Sequence, residues 1–194
     1  MRFLSLFELF VSLGILVYVI VCVEIPAWKL FDHDVYFKVV DPAEIGYYYR
    51  ASPAKDFGKG FNKYFEHTLL VVADPVQGCS ELVNSHKIPG NFILVERGEC
   101  SFVEKIARCE EAGAIGVIVY DNNPDNRSNL VAMIDDDRGI EVNIPSLFIV
   151  GSDGFHIRRA LERNSLESAI INVPINMTYV PEHQIRKPPW TKTL

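Results

Sequence analysis

The chain has 194 residues and a formal net charge of −6, and 48% of its residues are hydrophobic. This length and hydrophobic share predict one globular domain with a core of its own. The acidic balance argues against nucleic acid as a partner, because phosphate binding needs a basic stripe and the sequence has none.

The first element in chain order is an apolar run near the N-terminus. Arg2 gives a positive start, and residues 9–23 are apolar with only three exceptions. This pattern predicts a signal peptide over residues 1–23 and secretion of the remaining chain, without stable membrane association once the leader is cleaved. No A-x-A sequence marks a cleavage position, so an uncleaved signal anchor is the alternative; it would make the protein a type II membrane-anchored protein of the secretory-pathway lumen.

Seven segments after the leader are predicted to be strands. Four are short apolar runs bounded by Gly, Pro or Asn, which is typical of buried strands: HTLLVVADP, NFILVERG, AIGVIVYDN and IPSLFIVG. The others are the alternating segment DVYFKVV, the tyrosine-rich segment EIGYYYRAS and the broken strand SAIINVPINMTYV, in which Pro174 indicates an edge or a bend. The strand–helix–strand order around LVERG and GVIVY predicts a parallel crossover, whereas the tyrosine-rich strands before it predict antiparallel pairs. The expected fold class is therefore α/β, with a mixed sheet and two or three helices.

Two helices are predicted among these strands. The first runs from Ser101 to about Ala112, because Ser101 and Glu104 have the spacing of a capping box. The second lies in SDGFHIRRALERN and is predicted to be capped by Ser152 or Asp153. The apolar face of the first helix is predicted from helical spacing to carry Phe102, Ile106, Cys109 and Gly113.

Cys100 lies where the first helix begins, and two interpretations of it remain open at this point. The N-terminus of a helix favours a thiolate, so Cys100 is a candidate nucleophile for a thiol-dependent enzyme. In an oxidising compartment the same residue is equally placed to be half of a structural disulfide.

Other catalytic and metal-binding patterns are missing from the sequence. It has no H-E-x-x-H, G-x-S-x-G or Walker motif, and its histidines are not spaced as metal ligands. The segment IDDDRG does not follow the EF-hand order and is interpreted as an exposed acidic loop. Arg97 is interpreted as a turn residue, and Arg158 and Arg159 as the solvent face of the second helix. We therefore expect no metal, no cofactor and no enzymatic activity.

Two long segments resemble the protease-associated domain family. They are CSELVNSHKIPGNFILVERGECSFVEKIARCEEAGAIGVIVYDN and VNIPSLFIVGSDGFHIRRALE, and the resemblance lies in the combination of RG.C.F..K, AGA.GVI and a strand leading into G..G. The resemblance covers residues 35–180 and implies a compact fold with a barrel-like sheet flanked by helices. It also implies a module that is not itself catalytic and that contacts proteins or peptides. Residues 181–194 are predicted to form a Pro-rich tail, in which Trp190 covers a groove of its own domain.

The resemblance also implies a disulfide between Cys79 and Cys100. Such a bond closes a loop of about twenty residues and contributes roughly 3 kcal/mol by chain-entropy reasoning. Pairing of Cys100 with Cys109 is unfavourable, because a helical spacing of nine residues separates the two Cα atoms by roughly 13 Å. Cys109 is therefore interpreted as a buried free thiol.

Two N-x-S/T sequences follow the leader, at Asn126 in NRS and Asn176 in NMT. Combined with a signal peptide, they predict N-glycosylation at both asparagines. Asn126 lies in the polar segment DNNPDNRSN, which predicts an exposed loop. The sequence thus predicts a secreted glycoprotein that binds a protein or peptide partner.

Overall fold

A computed structural model describes residues 34–191 of the chain. The predicted signal peptide over residues 1–23, and with it the alternative of a signal anchor, lies outside the described residues. Within residues 34–191 no helix combines the length and the apolar character that crossing a bilayer requires.

Seven strands form one closed barrel, in the spatial order β1-β2-β6-β5-β4-β3-β7. Their bounds are β1 Val35–Asp41, β2 Tyr48–Pro53, β3 Phe65–Val72, β4 Phe92–Glu96, β5 Gly116–Tyr120, β6 Ser146–Ile149 and β7 Ser168–Ile175. Two α-helices flank the barrel: α1 is Phe102–Glu111 and α2 is Gly151–Arg163. The predicted α/β class with a mixed, barrel-like sheet is confirmed.

Four adjacent strands of the barrel are parallel. β3 pairs with β4, β4 with β5 and β5 with β6 in parallel register, and Ile93 lies opposite Val117 in the central pair. The crossover from β4 through α1 to β5 is therefore parallel, as predicted. β1 pairs antiparallel with β2, and β7 closes the barrel by pairing antiparallel with both β1 and β3.

The central strands are buried on both faces. Along β4, Phe92 and Leu94 join a hydrophobic cluster with α2, whereas Ile93 and Val95 join a second cluster with α1. Successive side chains of a strand point to opposite faces, so both faces of this strand must be apolar. This is why NFILVERG is continuously apolar rather than alternating.

The two helix starts agree only in part with the predictions. Ser101 is the N-cap of α1, and its hydroxyl accepts a hydrogen bond from the backbone N–H of Glu104 at 3.2 Å. For α2 the prediction was wrong: the N-cap residue is Val150, and Ser152 and Asp153 are buried within the first turn. The carboxylate of Asp153 bonds to the C-terminal tail instead of capping the helix.

The described part of that tail packs on the domain. The indole N–H of Trp190 donates to Asp153 Oδ1 at 2.8 Å, and its ring stacks on His156 with centroids 3.8 Å apart. Trp190 also contacts the edge of Tyr47. The residue thus covers a surface of its own domain, as predicted.

Candidate functional site

Parallel pairing places the ends of several strands at one edge of the barrel. β4 ends at Glu96, β5 at Tyr120 and β6 at Ile149, and the loops that follow these ends meet there. We call this region the carboxyl edge. In sheets of parallel strands the carboxyl ends are where ligands are commonly bound, because the loops there vary without disturbing the core.

A disulfide ties two loops of the carboxyl edge together. Cys79 follows β3, Cys100 follows β4, and the two residues are bonded with their Cα atoms 5.7 Å apart. The turn between Glu96 and Cys100 is tight, since Gly98 and Glu99 both have positive φ. Cys100 is therefore a cross-link and not a free thiol, so the hypothesis of a Cys100 nucleophile is wrong for this structure.

Cys109 is the one free cysteine among the described residues, and it is fully buried. Burial raises the pKa of its thiol to about 12, which keeps the sulfur protonated and unreactive at neutral pH. The interpretation of Cys109 as a buried free thiol is confirmed.

A buried lysine fastens the same two loops without a covalent bond. Lys105 of α1 is 0% exposed, and its ammonium donates to the carbonyls of Gln77 at 2.7 Å and Gly98 at 3.0 Å. Burial lowers the pKa of Lys105, while nearby charged groups oppose that shift. The helical-face prediction missed Lys105, because a lysine is almost never fully buried unless it is paired.

Arg97 begins the turn after β4 and is held in place from two sides. Its guanidinium donates to Asp121 Oδ1 at 3.2 Å, and its Cζ lies 6.0 Å from the centre of the Phe102 ring. The side chain of Asp121 is 8% exposed, whereas that of Arg97 is 39% exposed. The interpretation as a mere turn residue missed this pair, because its members are separated by 24 residues and come together only through the pairing of β4 with β5.

Asn126 supports Asp121 from the following loop. Its Nδ2 donates to Asp121 Oδ2 at 2.6 Å and to the carbonyl of Asn129 at 2.9 Å, and its Oδ1 accepts from the backbone N–H of Asn129. Both amide hydrogens of this predicted glycosylation site are thus used inside the loop. The residue is partly exposed rather than free in solvent.

An open depression of about 610 Å³ lies beside these residues. All of its lining residues except Val131 have polar side chains: Asp121, Asn123, Asp125, Asn126, Arg127, Ser128, Asn129 and Val131. Side-chain amides, hydroxyls and a guanidinium can each bond to a peptide backbone. The depression and Arg97 together form the candidate site.

The predicted acidic loop is tied back to the start of α1. Arg138 donates to Ser101 Oγ at 2.6 Å and to Glu104 Oε2 at 3.1 Å, and it pairs with Asp136 in its own loop. The hydrogen bond from Arg138 Nε to Asp136 Oδ2 is the main cause that lowers the pKa of Asp136 to about 2. Within residues 34–191 no group of three His, Cys, Asp or Glu side chains is placed to hold a metal ion.

Arg158 of α2 differs from its predicted role. Its side chain is 26% exposed and bonds to Tyr120 Oη at 2.9 Å and Glu96 Oε2 at 3.2 Å. It therefore joins α2 to the ends of β4 and β5. Arg159 is exposed, as expected for the solvent face of the helix.

The family of the chain follows from its similarity to known proteins. A family model described as PA domain, the protease-associated domain, matches residues 67–157. A "PRADC1-like protein" of Drosophila melanogaster is 38% identical over 172 residues, which are 88% of this chain and 88% of that protein. The chain belongs to the PA domain family. This PA domain protein therefore matches that relative over most of both lengths.

Other relatives share only part of their length with this PA domain protein. The "ER degradation-enhancing alpha-mannosidase-like protein 3" of Homo sapiens is 37% identical over 57% of this chain but only 12% of its own length. The "Signal peptide peptidase-like 2" of Arabidopsis thaliana is 30% identical over 61% of this chain and 22% of its own. An aminopeptidase from Aneurinibacillus sp. strain AM-1 has the same fold over 72% of this chain and 30% of its own, with a TM-score of 0.53 and 17% identity.

Proposed function

We propose that the protein is a secreted, non-catalytic glycoprotein that binds a protein or peptide partner through the carboxyl edge. The observation that carries this proposal is the half-exposed guanidinium of Arg97, held by a nearly buried Asp121 beside an open polar depression. A charged donor held in one orientation binds a carbonyl or carboxylate without first losing side-chain freedom.

Binding without catalysis is supported by the chemistry of the same edge. The sulfur of Cys100 is bonded to Cys79, so the thiol enzyme that the sequence left open loses its nucleophile. The other groups at the depression are amides, hydroxyls, carboxylates and the guanidinium of Arg127, and Asp121 is committed to Arg97 and Asn126. PA domains generally mediate protein interactions, which agrees with these groups.

The compartment is inferred from chemistry and from the relatives. A disulfide persists in the oxidising secretory pathway and is rare in the cytosol. The names of two relatives, one ER degradation-enhancing and one signal peptide peptidase-like, support the secretory pathway as well. We propose a leader over residues 1–23, a PA domain over residues 35–180 and a tail over residues 181–194, with a retained signal anchor as the alternative.

Peptide selection tests the proposed binding site. We expect immobilised wild-type protein to enrich peptides from a random displayed library. Arg97→Ala should lower the affinity for the selected peptides by about tenfold to a hundredfold. A hydrogen bond to a charged group contributes roughly 1.5–3 kcal/mol, which corresponds to that range. Arg97→Lys should recover only part of the affinity, because lysine lacks the planar fork of the guanidinium. Fluorescence polarisation with the selected peptides gives the dissociation constants.

Arg159→Ala is the matched control, because Arg159 is an exposed arginine of α2. Its affinity for the peptides should equal that of the wild type. The melting temperatures of Arg97→Ala and Arg159→Ala should both lie within a few degrees of the wild-type value. Failure of the wild type to enrich any peptide, or equal affinity of Arg97→Ala, would contradict the proposed function.

Mass spectrometry of protein recovered from culture medium tests secretion and glycosylation together. We expect a mature chain that begins near Glu24 and carries a glycan at Asn176. The side-chain oxygen of Asn176 accepts from the N–H of Thr178 at 3.0 Å, and its amide nitrogen donates to none of the described residues. Occupancy at Asn126 should be lower, because a glycan replaces one amide hydrogen and both bond to Asp121 and Asn129. Absence of the protein from the medium, with residues 1–23 retained in cells, would favour the signal anchor.

A further inference from the structure

A second cleft, of about 300 Å³, lies between the barrel and the C-terminal tail. Tyr36 and Tyr48 line it from the barrel, and Lys187 and Thr191 line it from the tail. It shares Arg127 with the polar depression of the candidate site, so the two concavities adjoin. We call it the tail cleft.

The tail side of this cleft is fixed to the domain at two points. The backbone N–H of Tyr48 donates to the carbonyl of Arg186 at 2.9 Å. Further along, Thr191 Oγ1 donates to Asp153 Oδ1 at 2.7 Å, beside the bond from Trp190. Both walls are therefore built before any ligand arrives, and the volume lies at the lower end of ligand pockets, roughly 300–1,000 Å³.

The charge of the tail cleft is opposite to that of the chain. Arg50, Arg127 and Lys187 line it. Arg50 is paired with Asp34 at 2.6 Å, whereas Arg127 and Lys187 form no salt bridge with the side chains that the structure describes. The other acid in the lining, Asp153, is 2% exposed and accepts its bonds from the tail. In a chain of net charge −6, two exposed cations that no described carboxylate neutralises attract an anionic ligand to this concavity.

We propose that the tail cleft binds an acidic segment of a peptide or protein partner. Its carboxylates pair with Arg127 and Lys187, and its apolar atoms contact the rings of Tyr36 and Tyr48. The segment continues into the adjoining polar depression, because the two concavities share Arg127. The inference rests on the proposed function for the class of partner, but it uses cations distinct from Arg97 and adds a sequence preference.

Peptide selection with charge-reversed protein tests this inference. The peptides that wild-type protein selects from the random library should be enriched in Asp and Glu. Raising the salt concentration should weaken their binding to the protein. Arg127→Glu with Lys187→Glu should reduce affinity for these peptides by about tenfold or more, since like charges then face each other. The control is Lys59→Glu with Arg159→Glu, which changes the net charge equally at two exposed residues that do not line the cleft.

Each outcome separates the two proposals. Acidic peptides that lose affinity only with the cleft variant support the tail cleft. Peptides without enrichment of Asp and Glu, or with equal loss in both charge-reversed proteins, overturn the tail cleft but leave an Arg97-dependent site standing. No enriched peptides at all overturn both proposals. Thermal unfolding of the two variants, matched within a few degrees, confirms that an affinity loss is not a loss of fold.

Discussion

Replacement of both Cys79 and Cys100 by serine is expected to lower the free energy of unfolding by about 3 kcal/mol. The bond spans a sequence separation of 21 residues, and its loss restores chain entropy to the unfolded state. The loops after β3 and β4 should still meet in the variant, because Lys105 bonds to Gln77 and Gly98 on either side. We therefore expect a folded but less stable protein, measured by urea unfolding monitored by circular dichroism.

Cys109→Ser is the matched control for the cysteine replacements. It also exchanges a sulfur for a hydroxyl, but at a buried thiol that closes no loop. Cys109→Ser should lower the free energy of unfolding because it buries a hydroxyl. This loss should be the same when wild-type and variant proteins are compared under reducing conditions. The difference between wild type and the double variant should disappear under those conditions. Under non-reducing conditions, a urea midpoint of the double variant equal to that of the wild type would contradict a stabilising role for the cross-link.

Much of this fold was predictable because its signals are local. Apolar runs such as NFILVERG, turn residues and the capping Ser101 identify the central strands and the start of α1 within a few residues of sequence. The closure of the barrel was not predictable in the same way. β7 pairs with β1 and β3 across at least 97 residues, the separation of Val71 from Ser168, and no local sequence pattern predicts such a pairing.

The candidate site was predictable only where a motif marks it. The disulfide between Cys79 and Cys100 followed from the family resemblance, whereas Arg97 and Asp121 meet through strand register. Lys105 departs from the polar–apolar pattern because two carbonyl oxygens and both sulfurs of the disulfide lie within bonding distance of its ammonium and compensate its burial. Asp153 was assigned to a helix cap from its position, but its partners lie 37 and 38 residues away in the tail.

The buried carboxyl of Asp153 should make the free energy of unfolding depend on pH. Burial raises the pKa of its carboxyl from 3.8 to about 6, although hydrogen bonds from Thr191 and Trp190 oppose the shift. The folded protein then binds more protons than the unfolded chain between pH 4 and 6. Its free energy of unfolding should therefore rise as pH falls through this window, by up to about 3 kcal/mol from this group alone.

Asp153→Asn should remove this dependence on pH. The amide oxygen can still accept from Trp190 and Thr191, and no buried charge remains, so the variant should be up to about 3 kcal/mol more stable than wild type at pH 7.5. The gain is limited to the extent that the first turn of α2 favours a carboxylate. Urea unfolding at pH 7.5 and pH 4.5 gives the free energy of unfolding of the wild type and of Asp153→Asn at each pH.

Asp136→Asn is the control for this comparison, since Arg138 holds the pKa of Asp136 at about 2 and its stabilising effect is lost only below pH 4. Its unfolding free energy should change between pH 7.5 and 4.5 as that of the wild type does. A wild-type pH response in Asp153→Asn would contradict a raised pKa of this buried carboxyl. If the response is lost as expected, the pH dependence comes from the cost of burying the ionised carboxylate of Asp153, which protonation removes.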